Sequence, residues 1–181
     1  MIKIFLNALF LVGSILLFTT NVSAQVLHFD HGEVEFYTSS ILSDIEASTD
    51  ELEVSLNTET REVEISIEIL SFEFEYEMMQ DHFNEEYMHS DKFPTATFRG
   101  KIDQDISNLT SSVEMNVVGE LTIHGITKDI SFKATAAPKD DSILVKCKFP
   151  IVFKDFGVEE PSILKKSVAK DVEFKSILYL K

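Results

Sequence analysis

Three consecutive runs of alternation, residues 113–123, 130–136 and 143–153, constrain this chain more than any other feature. A β-strand turns successive side chains to opposite faces, so alternation commits one face of each strand to a core. In the first run Val113, Met115, Val117, Gly119, Leu121 and Ile123 hold odd positions, with Glu114, Asn116, Glu120 and Thr122 between them. In the second, Ile130, Phe132, Ala134 and Ala136 are even. In the third, Ile143, Val145, Cys147, Phe149, Ile151 and Phe153 are odd again, opposite Lys146, Lys148 and Lys154. Antiparallel partners keep a constant sum of residue numbers. An odd strand sharing a face with an even one therefore needs a loop with an even number of residues. His124-Gly125 as a two-residue turn meets this condition and sets Ile123 opposite Ile126, Val117 opposite Phe132 and Met115 opposite Ala134. A four-residue loop over 124–127 keeps the same faces. Pro138 and Asp140-Asp141 mark the next reversal. Pro150 lacks an N–H for the ladder and belongs at an edge or an irregularity.

The same rhythm runs through the rest of the chain. Over residues 26–37, Val34 and Phe36 alternate with Glu33 and Glu35. Residues 41–47 and 52–56 continue it across a polar break near 48–50, and Asn57-Thr58-Glu59-Thr60 reads as a turn. Val63, Ile65, Ile67 and Ile69 share one face of a long strand, but Leu70, Phe72, Phe74 and Tyr76 are even. One flat strand cannot keep both sets inward, so a bulge is expected near Ile69-Leu70. Residues 156–166 form a connection, with a helical turn after Pro161 as one option. Val168, Val172, Phe174, Leu178 and Leu180 define a last strand against Asp171, Glu173 and Lys175. The runs number about eight, enough to close an antiparallel barrel whose interior is filled by side chains or holds one small ligand.

Residues 78–100 break the pattern. Met78, Met79, His82, Phe83 and Tyr87 are spaced by one, three and four, as on one face of a short helix. Pro94 then biases Phe93 to extended geometry, where a new strand begins. The expectation is a mainly β protein, an antiparallel eight-stranded barrel with a short helix capping one end.

Two blocks of residues carry a family resemblance. The first is Met79, His82, Phe83, Asn84, Tyr87, Met88, Ser90, Lys92, Phe93, Pro94, Ala96 and Phe98. The second is Gly119, Leu121, Thr122, Ile123, Gly125, Thr127 and Lys128, with a weaker third block at Phe156, Gly157 and Val158. In this order they resemble the YceI-like family of secreted lipid-binding proteins. The resemblance is carried by about the last hundred residues, whereas the region before Glu62 follows it in rhythm only. It implies a lipocalin-like barrel whose elongated apolar lumen holds a long isoprenoid or similar lipid.

Residues 1–24 read as a signal peptide rather than part of the fold. Lys3 supplies a positive start, an apolar run follows, and Val22-Ser23-Ala24 offers small residues for cleavage. That run is shorter than the roughly 20 residues a membrane span needs. Residues 25–181 then form one barrel domain, periplasmic or secreted, with no stable membrane anchor. Setting Lys3 aside, 15 basic residues face 31 acidic ones. This excludes nucleic acid, which needs a basic footprint, and disfavours anionic membrane surfaces. The single cysteine, Cys147, forms no internal disulfide. It is read as a buried thiol, with pairing between two chains as the alternative, so a dimer stays open.

No catalytic constellation appears: there is no G-x-S-x-G elbow, and Cys147 lies in an apolar strand. The chain is read as a non-enzyme. His82 and His89, with Glu85 and Glu86 between, are seven apart and could face one way on a helix as metal ligands, but the pattern is weak; no metal site is expected, and His82 is expected to pack and hydrogen-bond at the barrel mouth. The 15 Phe are the better clue. With the resemblance, they define a candidate apolar lumen of Phe72, Phe74, Met78, Met79, Phe83, Phe98, Val117, Leu121, Phe132, Val145, Phe149, Phe153 and Phe174. Its occupant is an apolar lipid, an isoprenoid or similar, with no other cofactor. The competing reading is a packed barrel that acts as an interaction or stress-response protein without a lipid. The leader assignment predicts Gln25 as the mature N-terminus; Edman sequencing of exported protein checks it, and a product starting at Met1 overturns it.

Overall fold

A computed structural model describes residues 26–39, 44–158 and 171–181. The assigned leader, the helical turn after Pro161 and Val168 lie outside them. Ten strand segments follow in order: β1 (Val26–Ser39), β2 (Asp44–Thr49), β3 (Leu52–Asn57), β4 (Glu62–Glu68), β5 (Glu73–Phe74), β6 (Thr95–Ile102), β7 (Val113–Ile123), β8 (Ile126–Lys139), β9 (Ser142–Val152) and β10 (Asp171–Leu180). All pairings are antiparallel. β1 pairs with β10 on one edge. On its other edge it pairs with β3 at its start and β2 at its end. β2 and β3 are thus one strand broken at Asp50-Glu51, and β4 and β5 are a second broken strand. With these merged, the sheet is a closed eight-stranded antiparallel barrel, as the alternation predicted.

Both breaks are stitched together. The Ser71 hydroxyl donates to the Glu68 carbonyl at 2.7 Å. The Thr49 hydroxyl lies 2.7 Å from Ser71 Oγ, and Thr49 Oγ1 accepts the Glu51 N–H at 3.0 Å. The expected phase change after Ile69 is present, but as a 3-10 turn over Ile69–Ser71 rather than a bulge. The turn keeps Ile69 and Phe72 buried and throws Leu70 out, 53% exposed. Tyr76, grouped with the inward set by its parity, is also exposed.

The β7–β8 register is the one the parity argument gave for a two-residue turn, with Ile123 opposite Ile126, Val117 opposite Phe132 and Met115 opposite Ala134. His124 and Gly125 both have positive φ, 52° and 74°. That is the turn conformation whose twist matches the flanking strands. Asp140-Asp141 makes the next reversal, between Lys139 and Ser142. At Asn57 the side-chain oxygen accepts the N–H groups of Glu59 and Thr60, closing the β3–β4 turn.

The interruption after β5 is helical, but its geometry changes midway. α1 (Glu77–His82) runs directly into a π-helical turn over Phe83–Tyr87. The Met88 N–H donates to the Phe83 carbonyl, five residues back, at 2.8 Å. Residues five apart on an α-helix lie about 140° apart around the axis; the wider π turn brings them near one face. Phe83 and Met88 are therefore both buried, whereas Met78 is 66% exposed. The plug exists, but its apolar face is centred on Phe83 and Met88 instead of on Met78.

On β6 and β7, Gly100 and Gly119 are direct partners. The Phe98 ring lies over both; a Cβ on Gly119 would fall 2.8 Å from its Cζ and 2.3 Å from the Arg99 carbonyl oxygen. Gly119→Ala is expected to destabilise the protein by about 1–3 kcal/mol through overpacking, read as a lowered urea midpoint with unchanged slope.

Candidate functional site

The inward faces enclose an apolar cavity of ≈ 130 Å³. Among the described residues that line it, only Thr97, Cys147 and Ser176 have polar side chains. Of the sequence-derived set, Phe72, Phe83, Phe98, Val117, Leu121, Phe132, Val145, Phe149, Phe153 and Phe174 line it. Phe74 does not line it but packs its ring on Phe36 and Phe83, at 5.6 and 5.0 Å between centroids. Met78 and Met79 do not line the cavity: the helix turns Met78 to the exterior, and Met79 is only half-buried.

The rings form two connected groups. Phe36 lies within 5.3 Å of both Phe72 and Phe83, and 6.5 Å from Phe153. A second row crosses the wall: Phe98 to Phe132 at 5.7 Å, Phe132 stacked on Phe149 at 4.1 Å, and Phe149 to Phe174 at 5.0 Å. Phe174 stands opposite Phe36 across the β1–β10 pairing, which joins the row to the cluster under the helix. Phe36 was absent from the sequence-derived site although its alternation with Glu33 and Glu35 marked it as inward. Met88 was missed because only a π turn puts it on the face of Phe83.

Two of the polar lining residues pair with each other. Cys147 Sγ lies 3.1 Å from Ser176 Oγ, its register partner on β10. Burial is the main cause pushing the thiol above its ordinary value of 9.0, and the Ser176 hydrogen bonds oppose this only in part. Nothing here activates the sulfur as a nucleophile.

The histidines do not converge. His82 is exposed, with Nε2 4.0 Å from Glu86 Oε1, so it neither packs nor hydrogen-bonds at the mouth as expected. His89 turns away to His124, 5.5 Å between ring centroids. His124 packs edge-on against Phe93 at 4.3 Å, and its Nε2 is shielded from water with no hydrogen-bond partner. Among the described residues no group of three His, Cys, Asp or Glu could hold a metal ion. No helix among them is long and apolar enough to cross a membrane.

Fold and site together define a β-barrel built around an apolar internal cavity, with a helix over one end. The YceI-like domain model matches residues 20–178, and the chain belongs to the YceI-like family. The match includes the opening strands, where the resemblance had been one of rhythm alone. A polyisoprenoid-binding domain from Saccharophagus degradans, implicated in plant cell wall breakdown, superposes with a TM-score of 0.76 at 15% identity, over 88% of this chain and 99% of that one. BcnA of Burkholderia cenocepacia superposes with a TM-score of 0.69 at 21% identity, over 82% and 95%. At these identities the likeness establishes the fold. A search of curated proteins finds no match.

The raised Cys147 pKa fixes a sign. The folded state holds the thiol proton more tightly than the unfolded state does. Its contribution is complete below the ordinary thiol pKa and is lost as pH rises from there through the folded value. The wild type should therefore lose stability above about pH 9 more steeply than Cys147→Ala, measured by urea unfolding at stepped pH. Equal slopes would place the thiol in water.

Proposed function

We propose that this is an exported binding protein, periplasmic or secreted, that carries or sequesters a long-chain apolar lipid, an isoprenoid or similar, in the barrel lumen. One observation carries the reading: a closed barrel retains a void whose lining is apolar except for Thr97, Cys147 and Ser176. Burial of apolar surface contributes about 25 cal/mol per Å², so a long chain binds there without a charged anchor. The acidic exterior is a separate surface and does not oppose this. The family membership and the polyisoprenoid-binding relative support the same reading.

The cavity's size favours one competing view. Its ≈ 130 Å³ is close to the roughly 150 Å³ that admits a benzene-sized guest, and well below the roughly 300–1,000 Å³ of drug-sized ligand pockets. A long chain must therefore rotate the Phe rings aside. A barrel that keeps them in place would be a packed interaction or stress-response protein.

Native mass spectrometry of the natively purified protein, with added farnesol or a longer polyprenol, separates the two. The carrier shows discrete adducts and a raised melting temperature; bare protein with no shift in either sinks the reading. Phe132→Asp should abolish binding, because an unpaired carboxylate in this lumen is strongly disfavoured, with far-UV circular dichroism confirming the fold. Phe132→Leu should keep the fold and weaken binding about fivefold, roughly 1 kcal/mol. Glu114→Gln and Glu120→Gln, on the outer face, should change affinity less than about twofold.

A further inference from the structure

The barrel wall has a gap, and the gap lies beside the cavity. The β8–β9 ladder runs from Lys139↔Ser142 to Ala134↔Cys147 and stops. Below that point β8 stays paired to β7 down to Ile126, and β9 stays paired to β10 up to Val152. Residues 126–133 and 148–152 therefore face each other across the wall without a ladder. Pro150, which has no N–H to give, sits within this stretch, which is the irregularity its sequence position called for. The gap is bounded at its far end by the 3-10 turn Phe153–Phe156, whose following Gly157 packs against the Ile126 side chain. The result is a window.

Beside the window Ile130, Phe132 and Phe149 are part-buried and line the cavity, while Ile151 on the same edge is buried. On the opposite wall Val54, Val63 and Ile67 are buried and Ile65 is part-buried. Across the window Phe132 stacks on Phe149 with the rings 14° from parallel.

Among the described residues, side chains pack across both barrel ends. The helix closes one with Phe83 and Met88. The loop joining β6 to β7 closes the other: Ile106 is 0% exposed. That loop is pinned, because the Asp103 carboxylate accepts the Asn116 N–H at 2.8 Å and the Asn116 side-chain amide at 2.6 Å. These bonds hold the Asp103 carboxyl below its ordinary range. The Arg61 guanidinium donates to the Asp103 carbonyl at 3.0 Å. Opening either end unpacks these buried side chains, whereas parting the strands along the window breaks no β8–β9 ladder pair.

We propose that the window between β8 and β9 is the entrance to the lumen, with the stacked Phe132–Phe149 pair as its gate, and that an apolar chain enters and leaves sideways through the wall. The inference rests on the lumen being a binding cavity. Among the described residues, the backbone groups along the window edges have no ladder partner across the gap, so the last part of a guest to enter meets a polar rim.

The test bridges the window. Ser131 and Pro150 are exposed and would be the paired residues if the ladder continued. In a Cys147→Ala background, Ser131→Cys/Pro150→Cys is joined by a short bis-methanethiosulfonate reagent, which reduction removes. Uptake of N-phenyl-1-naphthylamine, an apolar fluorophore, is followed by stopped flow. Bridged protein should load at least tenfold more slowly than the same protein after reduction. Independently, Phe149→Ala should speed loading several-fold, whereas Ile67→Ala on the opposite wall should leave the rate within twofold. Equal rates with and without the bridge, or no acceleration in Phe149→Ala, would overturn the entrance while leaving the lumen as the binding site. A reduced protein that never brightens the probe overturns the lumen reading and the entrance with it.

Discussion

The structure depends on the seam between β1 and β10. β1 takes β10 along one edge and divides its other edge between β3 and β2. Without that pairing the sheet is open, its inward Phe and Val face water, and no lumen exists. The seam joins the start of the described chain to its end, so it closes the longest loop of any pairing among the described residues. Two local features hold the register. Gly32, at φ 136°, lets β1 pass so close to β10 that a Cβ would fall 2.1 Å from the Ile177 carbonyl oxygen. Lys175 on β10 reaches Glu35 on β1. The latter is an exposed pair and contributes little by itself; the backbone ladder is the determinant.

Closure sets a fixed circumference, and the inward side chains must fit it. Two adjacent glycines, Gly100 and Gly119, let the Phe98 ring lie flat on the wall, leaving the centre free. From there the rings pass by way of Phe132, Phe149 and Phe174 to Phe36 and the helix. Aromatic contacts between neighbouring strands stabilise each other in offset or edge-on geometries. The same contacts define the cavity's shape, so changes in wall packing are also changes in the cavity.

Much of this was legible in the chain. Alternation gave the strands, parity gave the even loop, and the two-residue reading of His124-Gly125 gave the register of Val117 and Met115 to the residue. Phe132, Phe149 and Phe174 were placed inward for the same reason, since a period of two has only two phases. The failures fall where that rule stops. At Ile69–Ser71 a 3-10 turn replaced the expected bulge and sent Leu70 outward. In the plug, an α-helical period predicted Met78, while a single π turn selected Met88. Spacing of five is no signature of an α-helix, so a reading confined to threes and fours could not find it. The window was invisible for a different reason: Pro150 pointed to an irregularity, but no local pattern states where two strands cease to pair.

The void itself is the last constraint to weigh. An unfilled cavity destabilises its host by about 24 cal/mol per Å³, so ≈ 130 Å³ corresponds to a cost of about 3 kcal/mol. Ala96, Ala134, Val117 and Val145 all border the cavity, and larger residues at such positions would narrow it. Such a sequence would make a more stable barrel with nothing inside. This chain instead surrounds small inward residues with Phe side chains, whose rotation changes the free space without breaking a ladder. A guest that fills the void restores dispersion contacts and removes its own apolar surface from water, and both gains act in the same direction. Under the proposed function, the deficit left by the empty barrel and an affinity for an apolar chain would be two sides of one packing decision, made at Gly100, Gly119 and the small residues of β6 to β9.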